Sequence, residues 1–323
     1  MIQLEHISKR FSGAARPAVD QLSLTVEKGK ISVFVGPSGC GKTTILRMIN
    51  RLVEPDEGTI FIDGKNILQM NPPLLRRTIG YVIQQVGLLP HRTIGQNISL
   101  VPELLGWPRE KTARKVRELL EMTGLPPEEF ESKYPYQLSG GQAQRVGVAR
   151  ALAADPPIML MDEPFAAVDP IIRMHLQDEF LRVQQHIRKT ICFVTHDISE
   201  AIKIGDHLVI LNEGRLVQSG TPIEILTHPS NDFVSSLIGD DRGSKILDLI
   251  RCEGLMDPQA PLVDFPKDNG SRVQAVWPVK AALERMMKNN TDEVMVCRED
   301  QPAGILSWNG IKAHINRISG EKQ

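Results

Sequence analysis

Short apolar segments recur along the chain and are separated by segments with helical spacing. Four of them are almost entirely apolar: 31–35, 158–161, 191–194 and 208–211. This composition is typical of parallel strands, which are buried on both faces of a sheet. Three earlier segments, at 2–7, 22–26 and 59–62, predict an antiparallel addition. We therefore expect an α/β fold with a mixed sheet as its core.

Helical spacing marks the intervening segments. The segment 45–52 is amphipathic, 109–122 is helical and charged, and a further apolar helix face is formed by Ile172, Leu176, Phe180, Val183 and Ile187. Strand signals fade between Pro90 and Pro135. A helical subdomain inserted at about 90–155 is therefore predicted.

Polar residues at 239–243 mark a predicted boundary between a first domain, 1–238, and a C-terminal region, 239–323. The pattern of 276–318 reads as strand, helix, strand, turn, strand and helix, which predicts a small α+β domain. The segments 247–258 and 263–273 supply either a linker or a degraded second copy of this unit.

Composition narrows the function classes. The 323 residues are 24% charged and 41% hydrophobic, with a formal net charge of −1, so no nucleic-acid partner is expected. Met1 to Glu5 lack a signal-peptide pattern, and no stretch approaches the roughly 18 apolar residues of a membrane span. Four widely spaced cysteines predict neither a zinc site nor a disulfide framework. The reducing cytosol is therefore the compartment that we expect for this chain.

The segment 36–43, GPSGCGKT, fits the P-loop pattern and lies between a predicted strand and a predicted helix. Its glycines allow backbone N–H groups to surround phosphate oxygens, and the helix N-terminus adds positive potential. Lys42 is expected to reach the β- and γ-phosphates, and the Thr43 hydroxyl to coordinate Mg²⁺.

Two acids, Asp162 and Glu163, follow the buried strand 158–161, in the Walker B arrangement. The carboxyl ends of strands in open α/β sheets are where ligands bind. We expect Asp162 to hold Mg²⁺ and Glu163 to accept a proton from the attacking water.

Residues 138–142, LSGGQ, reproduce the signature of the ABC ATPase superfamily, and the chain resembles that superfamily over residues 1 to about 235. The signature also has a physical interpretation, because Ser139 can cap the following helix and leave its N-terminus facing an anion. In proteins that the chain resembles, this segment of one subunit closes over ATP on another. The resemblance therefore implies a homodimer.

The resemblance also implies roles for isolated residues. Phe11 matches the aromatic residue that stacks on adenine, and Gln84 matches the loop glutamine that senses Mg²⁺ and contacts the membrane partner. Asp169 matches the loop that crosses the dimer interface, and His196 the switch histidine at the γ-phosphate.

The expected site residues fall into three groups. The catalytic group is Glu163, His196 and Gln84. The metal ligands for Mg²⁺ are Thr43, Gln84 and Asp162. The ATP-binding group is Phe11, Gly36, Pro37, Ser38, Gly39, Cys40, Gly41, Lys42, Thr43, Thr44, Ser139, Gly140, Gly141, Gln142 and Asp169.

Within the superfamily, four stretches look like those of the ATPase subunits of quaternary-amine importers: 48–52, 80–85, 101–107 and 145–150. This likeness implies import of glycine betaine, carnitine, choline or proline at the cytoplasmic face of the membrane. It also implies permease subunits and an extracytoplasmic solute-binding protein. Ala143 and Ala166 depart from the commonest family pattern at positions outside the phosphate contacts.

The tail at about 273–320 resembles one CBS motif. Such motifs usually work in pairs, and a pair binds adenine nucleotides. It is interpreted either as a regulatory nucleotide-binding region or as a structural or dimerising remnant. For the whole chain, the competing hypotheses are an ABC importer of another small solute such as an amino acid, an ABC ATPase acting on DNA or ribosomes, and a nucleotide-sensing regulator. The long coiled coils and second ATPase domain of the DNA and ribosome classes are absent from this sequence.

Overall fold

The computed structural model describes residues 1–83, 87–166, 168–260, 271–299 and 301–319. The chain divides into two compact units, Met1–Gly220 and Thr221–Gln323. Within the described residues, no helix combines the length and the apolar character needed to cross a membrane.

A six-stranded sheet forms the centre of the first unit. Its strands are β3 (Ile31–Val35), β6 (Ile79–Val82), β7 (Ile158–Asp162), β8 (Thr190–Thr195), β9 (His207–Asn212) and β10 (Arg215–Gly220). They lie in the order β10-β9-β3-β8-β7-β6, and all neighbours are parallel except β9 and β10. The four strands predicted from continuous apolar runs are confirmed. Their shared direction places the residues after β3, β7 and β8 at one edge.

A four-stranded antiparallel sheet packs against this centre, as predicted. Its strands are β1 (Ile2–Lys9), β2 (Val19–Val26), β4 (Glu57–Ile62) and β5 (Lys65–Asn66), in the order β2-β1-β4-β5. One apolar core joins the two sheets and the helix after β3. Among its fully buried members are Leu22, Phe34, Leu46, Ile60 and Leu160.

Helices cover the central sheet and form the predicted insertion. They are α1 (Lys42–Ile49), α2 (Pro72–Arg77), α3 (Ile94–Leu104), α4 (Arg109–Met122), α5 (Pro127–Phe130), α6 (Gly140–Leu152), α7 (Pro170–Ile187) and α8 (Ile198–Ile204). The insertion, α3 to α6, has its own apolar cluster, to which Ile98, Leu120 and Val146 contribute.

One helix end needs correction, and one predicted helix face differs in burial along its length. Helix α1 ends at Ile49, not Leu52, because Asn50 caps it and Arg51 adopts a left-handed conformation. On α7, the predicted apolar face is only partly buried: Ile172 and Ile187 are exposed at the helix ends, and Phe180 in the middle packs against Phe165 and Phe193.

In its described residues, the second unit combines five α-helices with a three-stranded sheet. The helices are α9 (Pro222–Thr227), α10 (Asp232–Ile238), α11 (Arg242–Leu249), α12 (Val279–Asn289) and α13 (Trp308–Ser319). The strands are β11 (Arg272–Gln274), β12 (Glu293–Arg298) and β13 (Gln301–Ser307). Strand β12 is central, parallel to β11 and antiparallel to β13.

The predicted order of elements in the tail is present, with a shift at its start. Its first strand ends at Gln274, and Val276, where the strand was predicted to begin, is 66% exposed. The segment 247–258 packs into the apolar core of the second unit. Asp257 pairs with Ile305 of β13 through two backbone hydrogen bonds. Most of 263–273 lies outside the described residues.

Candidate site for ATP binding and hydrolysis

The loop between β3 and α1 is shaped by glycines that no other residue can replace. A Cβ atom on Gly36 would lie 2.1 Å from the Leu211 carbonyl oxygen, and one on Gly41 would lie 2.3 Å from that of Ala18. Gly39 and Gly41 also have positive φ angles of 80° and 106°. The loop thus packs closely on neighbouring backbone, as a phosphate cradle requires.

Lys42 begins α1 and turns its side chain under this loop. Its ammonium donates to the carbonyl oxygens of Gly36 at 2.6 Å and Pro37 at 2.9 Å, and the residue is 6% exposed. Gly41 caps α1 without a side-chain acceptor, so the first backbone N–H groups of the helix have no cap from that side chain. A buried cation beside helix N–H groups favours a bound anion.

Thr43 and Asp162 meet at the strand edge. The Thr43 hydroxyl donates to Asp162 Oδ1 at 2.9 Å, although the two residues are 119 positions apart. Asp162 is 3% exposed, and this burial raises the pKa of its carboxyl, with the charge of Glu163 adding to the effect and the Thr43 hydrogen bond opposing it. A hydroxyl and a carboxylate held together are ligands that suit Mg²⁺.

Glu163 and His196 follow the adjacent strands β7 and β8. The backbone N–H of Glu163 donates to the Val194 carbonyl at 3.0 Å, and His196 Nδ1 lies 3.2 Å from Glu163 Oε1. Glu163 has a φ of 49°, a conformation that costs a non-glycine residue roughly 1–2 kcal/mol. Backbone strain of this kind is concentrated at functional sites.

The signature segment forms a helix N-terminus. Ser139 accepts from the Gln142 N–H at 3.3 Å, while Gln142 Oε1 accepts from the Ser139 N–H at 2.9 Å, which completes a capping box. Ser139 and Gly140 are exposed, and a Cβ atom on Gly140 would meet no atom within 4 Å. The N-terminus of α6 is therefore open to a ligand or partner.

Two further predicted residues, Phe11 and Asp169, make contacts outside this cluster. Phe11 lies in the turn after β1, is 43% exposed and has Lys9 5.9 Å from its ring centre. Asp169 caps α7 by accepting from the N–H groups of Ile171 and Ile172. Gln84 lies outside the described residues.

Two groups near the strand edge were not found by sequence reasoning. Tyr81 on β6 is hydrogen-bonded to Arg47, and burial together with the charge of Asp162 raises its pKa to about 12. On the other side of Glu163, a polar cluster contains Arg173, Gln177, Thr195 and Glu200. One sequence feature could have indicated this cluster: Glu200 is an acid on α8 that stands among buried apolar residues.

Comparisons with known proteins agree with this geometry. The ABC transporter family model matches residues 19–166. The chain is 53% identical over 275 residues to the glycine betaine/carnitine/choline transport ATP-binding protein OpuCA of Bacillus subtilis, covering 85% of this chain and 72% of that protein. It is 48% identical over 303 residues to the choline transport ATP-binding protein OpuBA of the same organism, covering 93% and 76%.

A third relative, the osmoprotectant import ATP-binding protein OsmV of Salmonella typhimurium, is 48% identical over 269 residues, covering 82% of this chain and 70% of its own. Among solved structures, a dimeric ATP-binding cassette in a post-hydrolysis state with ADP and Pi is 33% identical, with a TM-score of 0.63. That match covers 69% of this chain and 99% of the other. ABC cassettes bind ATP, dimerise and work with membrane permease subunits. This chain belongs to the family of ABC transporter ATP-binding proteins and is an ATPase.

Proposed function

We propose that this ATPase drives import of a compatible solute such as glycine betaine, carnitine, choline or proline. The observation that carries its chemistry is the convergence of Thr43, Asp162, Glu163 and His196 at one strand edge. The solute class is supported by relatives whose names specify glycine betaine, carnitine, choline or osmoprotectant transport.

ATP and Mg²⁺ are assigned to the P-loop side of this edge. The loop 36–43 and the α1 N-terminus surround the phosphates, and Lys42 exchanges its loop carbonyls for β- and γ-phosphate oxygens. Thr43, Asp162 and Gln84 would hold the metal ion. When bound, Mg²⁺ neutralises the charge that develops on the phosphate oxygens. Phe11 stacks on the adenine.

Hydrolysis is assigned to Glu163 and His196. Water attacks the γ-phosphorus, the bond from that phosphorus to the bridging oxygen breaks, and the Glu163 carboxylate takes the proton of the water. His196 contacts the γ-phosphate and, through Nδ1, orients the Glu163 carboxylate. Both groups follow paired strands, so their separation is set by the sheet.

Two copies complete the reaction site. The open N-terminus of α6, with Ser139, Gly140, Gly141 and Gln142, closes over ATP on the partner, and the Asp169 loop crosses the interface. A subunit of this kind acts peripherally at the cytoplasmic face of the membrane. It binds permease subunits near Gln84, and an extracytoplasmic protein delivers the solute.

The second unit is proposed to contain one CBS-like motif at about 273–320. Its order of strand, helix, strand, strand and helix supports this proposal. It serves either to bind a regulatory nucleotide or as a structural or dimerising remnant. Truncation after residue 240 separates these roles: the regulatory role requires that hydrolysis persists but changes its response to salt or nucleotide. An unchanged response favours the remnant.

The experiment that tests the ATPase mechanism is Glu163→Gln. The amide keeps the shape of the side chain but cannot accept the proton, so hydrolysis and solute uptake are lost while ATP binding and ATP-driven dimerisation remain. Glu118→Gln, at an exposed residue of α4, is the matched control and should leave both rates unchanged. Normal uptake in Glu163→Gln would overturn the mechanism.

Uptake of labelled substrate tests the solute class. The chain, its cognate permease and the binding protein should accumulate betaine, carnitine, choline or proline in an ATP-dependent manner. Accumulation of another amino acid instead would favour the competing importer. ATP turnover stimulated by DNA or ribosomes and independent of the permease would favour a role outside transport.

A further inference from the structure

A cavity of about 50 Å³ lies beside the Glu163–His196 pair. Besides those two side chains, its lining includes Arg173, Thr195 and Glu200. The reaction described above gives none of these three a role. Their position against the reacting pair raises the question of what a buried set of charged and polar groups does there.

Glu200 is the centre of this set. It is 8% exposed, and its carboxylate accepts from Gln177 Nε2 at 2.9 Å and from the Thr195 hydroxyl. Burial raises the pKa of Glu200, whereas these hydrogen bonds and the charge of Arg173 oppose that shift. A buried carboxylate is costly compared with an apolar residue of similar size, so its presence calls for a function.

On one side, Glu200 controls the backbone around His196. The Thr195 hydroxyl that donates to Glu200 also accepts from the backbone N–H of Asp197 at 3.0 Å. One hydroxyl group therefore holds the residues immediately before and after His196. Since the side chain of His196 is 61% exposed, this backbone and the contact with Glu163 are what hold its imidazole in place.

On the other side, Glu200 contacts α7. Gln177 and Arg173 lie one turn apart on that helix, which begins directly after Asp169. Arg173 Nη2 donates to the Val168 carbonyl at 2.9 Å, and its positive charge acts on the Glu200 carboxylate. The loop that carries Asp169 is thus connected to Glu200 through Arg173, and Gln177 joins Glu200 to the same helix.

We propose that Glu200 is a positioning residue that couples the Asp169 loop to His196. When a second copy of the chain contacts Asp169, a shift of α7 passes through Arg173 and Gln177 to Glu200. From Glu200 the shift passes through Thr195 to His196 and changes the distance between His196 and Glu163. Dimer closure and alignment of the reacting pair are thereby linked. This inference rests on the proposed hydrolysis at Glu163.

The test is Glu200→Gln in the full chain with ATP and Mg²⁺. We expect kcat for hydrolysis to fall about 10- to 100-fold, the range for loss of a group that orients another functional group. The KM for ATP stays within about twofold, because no assigned ATP contact is altered. In the Glu163→Gln background, Glu200→Gln leaves ATP-driven dimerisation intact.

A paired exchange provides the rescue. In Glu200→Gln an NH2 group replaces one carboxylate oxygen, so the Gln177 amide and the Thr195 hydroxyl compete for the one acceptor oxygen that remains. The double variant Glu200→Gln, Gln177→Glu restores one donor and one acceptor and should recover most of kcat. Asp206→Asn is the control: this more exposed carboxylate accepts from the Ile31 backbone N–H at 2.9 Å and does not line the cavity. It should lower the melting temperature without lowering kcat.

The outcomes separate this inference from the ATPase mechanism. Loss of hydrolysis in Glu163→Gln together with wild-type kcat in Glu200→Gln would overturn the coupling and leave the mechanism intact. Equal loss of kcat in Glu200→Gln and Asp206→Asn, at equal shifts in melting temperature, would reduce Glu200 to a structural residue. Failure of the paired exchange to recover kcat would contradict the route through Gln177.

Discussion

The two units of the chain bury different kinds of residue. In the described part of Met1–Gly220, polar side chains are buried in several places, but the buried charged side chains, Lys42, Asp162 and Glu200, all lie near the carboxyl ends of β3, β7 and β8. In the described part of Thr221–Gln323, the buried polar group is Ser271 alone. The core of that unit is otherwise apolar, with members such as Val296 and Leu306.

This difference indicates where chemistry resides. Burying a polar group costs free energy, so a fold keeps such groups where a reaction needs oriented charge in a site that excludes water. In the first unit, the buried charged groups are found at one sheet edge. The described core of the second unit bears almost none of that cost.

The largest expected effect comes from Lys42→Ala. It removes the buried ammonium at the phosphate cradle and leaves the Gly36 and Pro37 carbonyls without their donor. We expect kcat/KM for ATP hydrolysis to fall by about 100- to 1,000-fold, as for loss of one preorganised donor. Lys28→Ala, at an exposed position before β3, should leave it unchanged. An active Lys42→Ala enzyme would contradict the assignment of the cradle.

A second prediction compares the two cores directly. Leu306→Ala and Leu211→Ala each remove a fully buried side chain, and each should cost about 2–5 kcal/mol of unfolding free energy in its own unit. Leu306→Ala should leave hydrolysis within twofold. Leu211→Ala should also slow hydrolysis, because the cavity it leaves allows a shift of the Leu211 backbone, whose carbonyl lies against Gly36 of the cradle. Calorimetry and steady-state hydrolysis measure both effects, and equal rates in the two variants would contradict the comparison.

A third prediction uses two capping boxes in the helical insertion. Ser139 and Thr93 cap α6 and α3 in the same way, so Ser139→Ala and Thr93→Ala should each cost about 1 kcal/mol of stability. Only Ser139→Ala should also weaken ATP-driven dimerisation of the Glu163→Gln protein, measured by sedimentation or size-exclusion chromatography. Equal effects of the two variants on dimerisation would show that α6 has no role beyond its helix.

The sequence predicts best what depends on neighbours along the chain. The glycine-rich loop, the acids after β7 and the Ser139 cap each lie within one strand, loop and helix, so local patterns suffice. The contact of Gln177 with Glu200 joins two helices 23 residues apart and has no motif. The prediction that a strand begins at Val276 was wrong, because apolar character alone does not specify burial.

The smallest effect is a difference in sign between two acids. Burial raises the pKa of Glu200, so its ionisation opposes folding. Its contribution is present below the ordinary pKa of about 4.3 and is lost as pH rises through the higher folded value. Asp241, in the second unit, is exposed, and its hydrogen bond from Lys245 at 2.6 Å lowers its pKa. Its contribution is present above the ordinary pKa and is lost as pH falls.

The two substitutions Glu200→Gln and Asp241→Asn should therefore tilt the pH profile of stability in opposite directions. The unfolding free energy of wild type relative to Glu200→Gln should decrease as pH rises above about 4, whereas relative to Asp241→Asn it should increase as pH rises from the acid side toward about 4. Denaturant unfolding of the full chain at a series of pH values measures both slopes. Slopes of the same sign would mean that the buried acid does not differ from an exposed ion pair, and the contrast between the two units would lose its electrostatic basis.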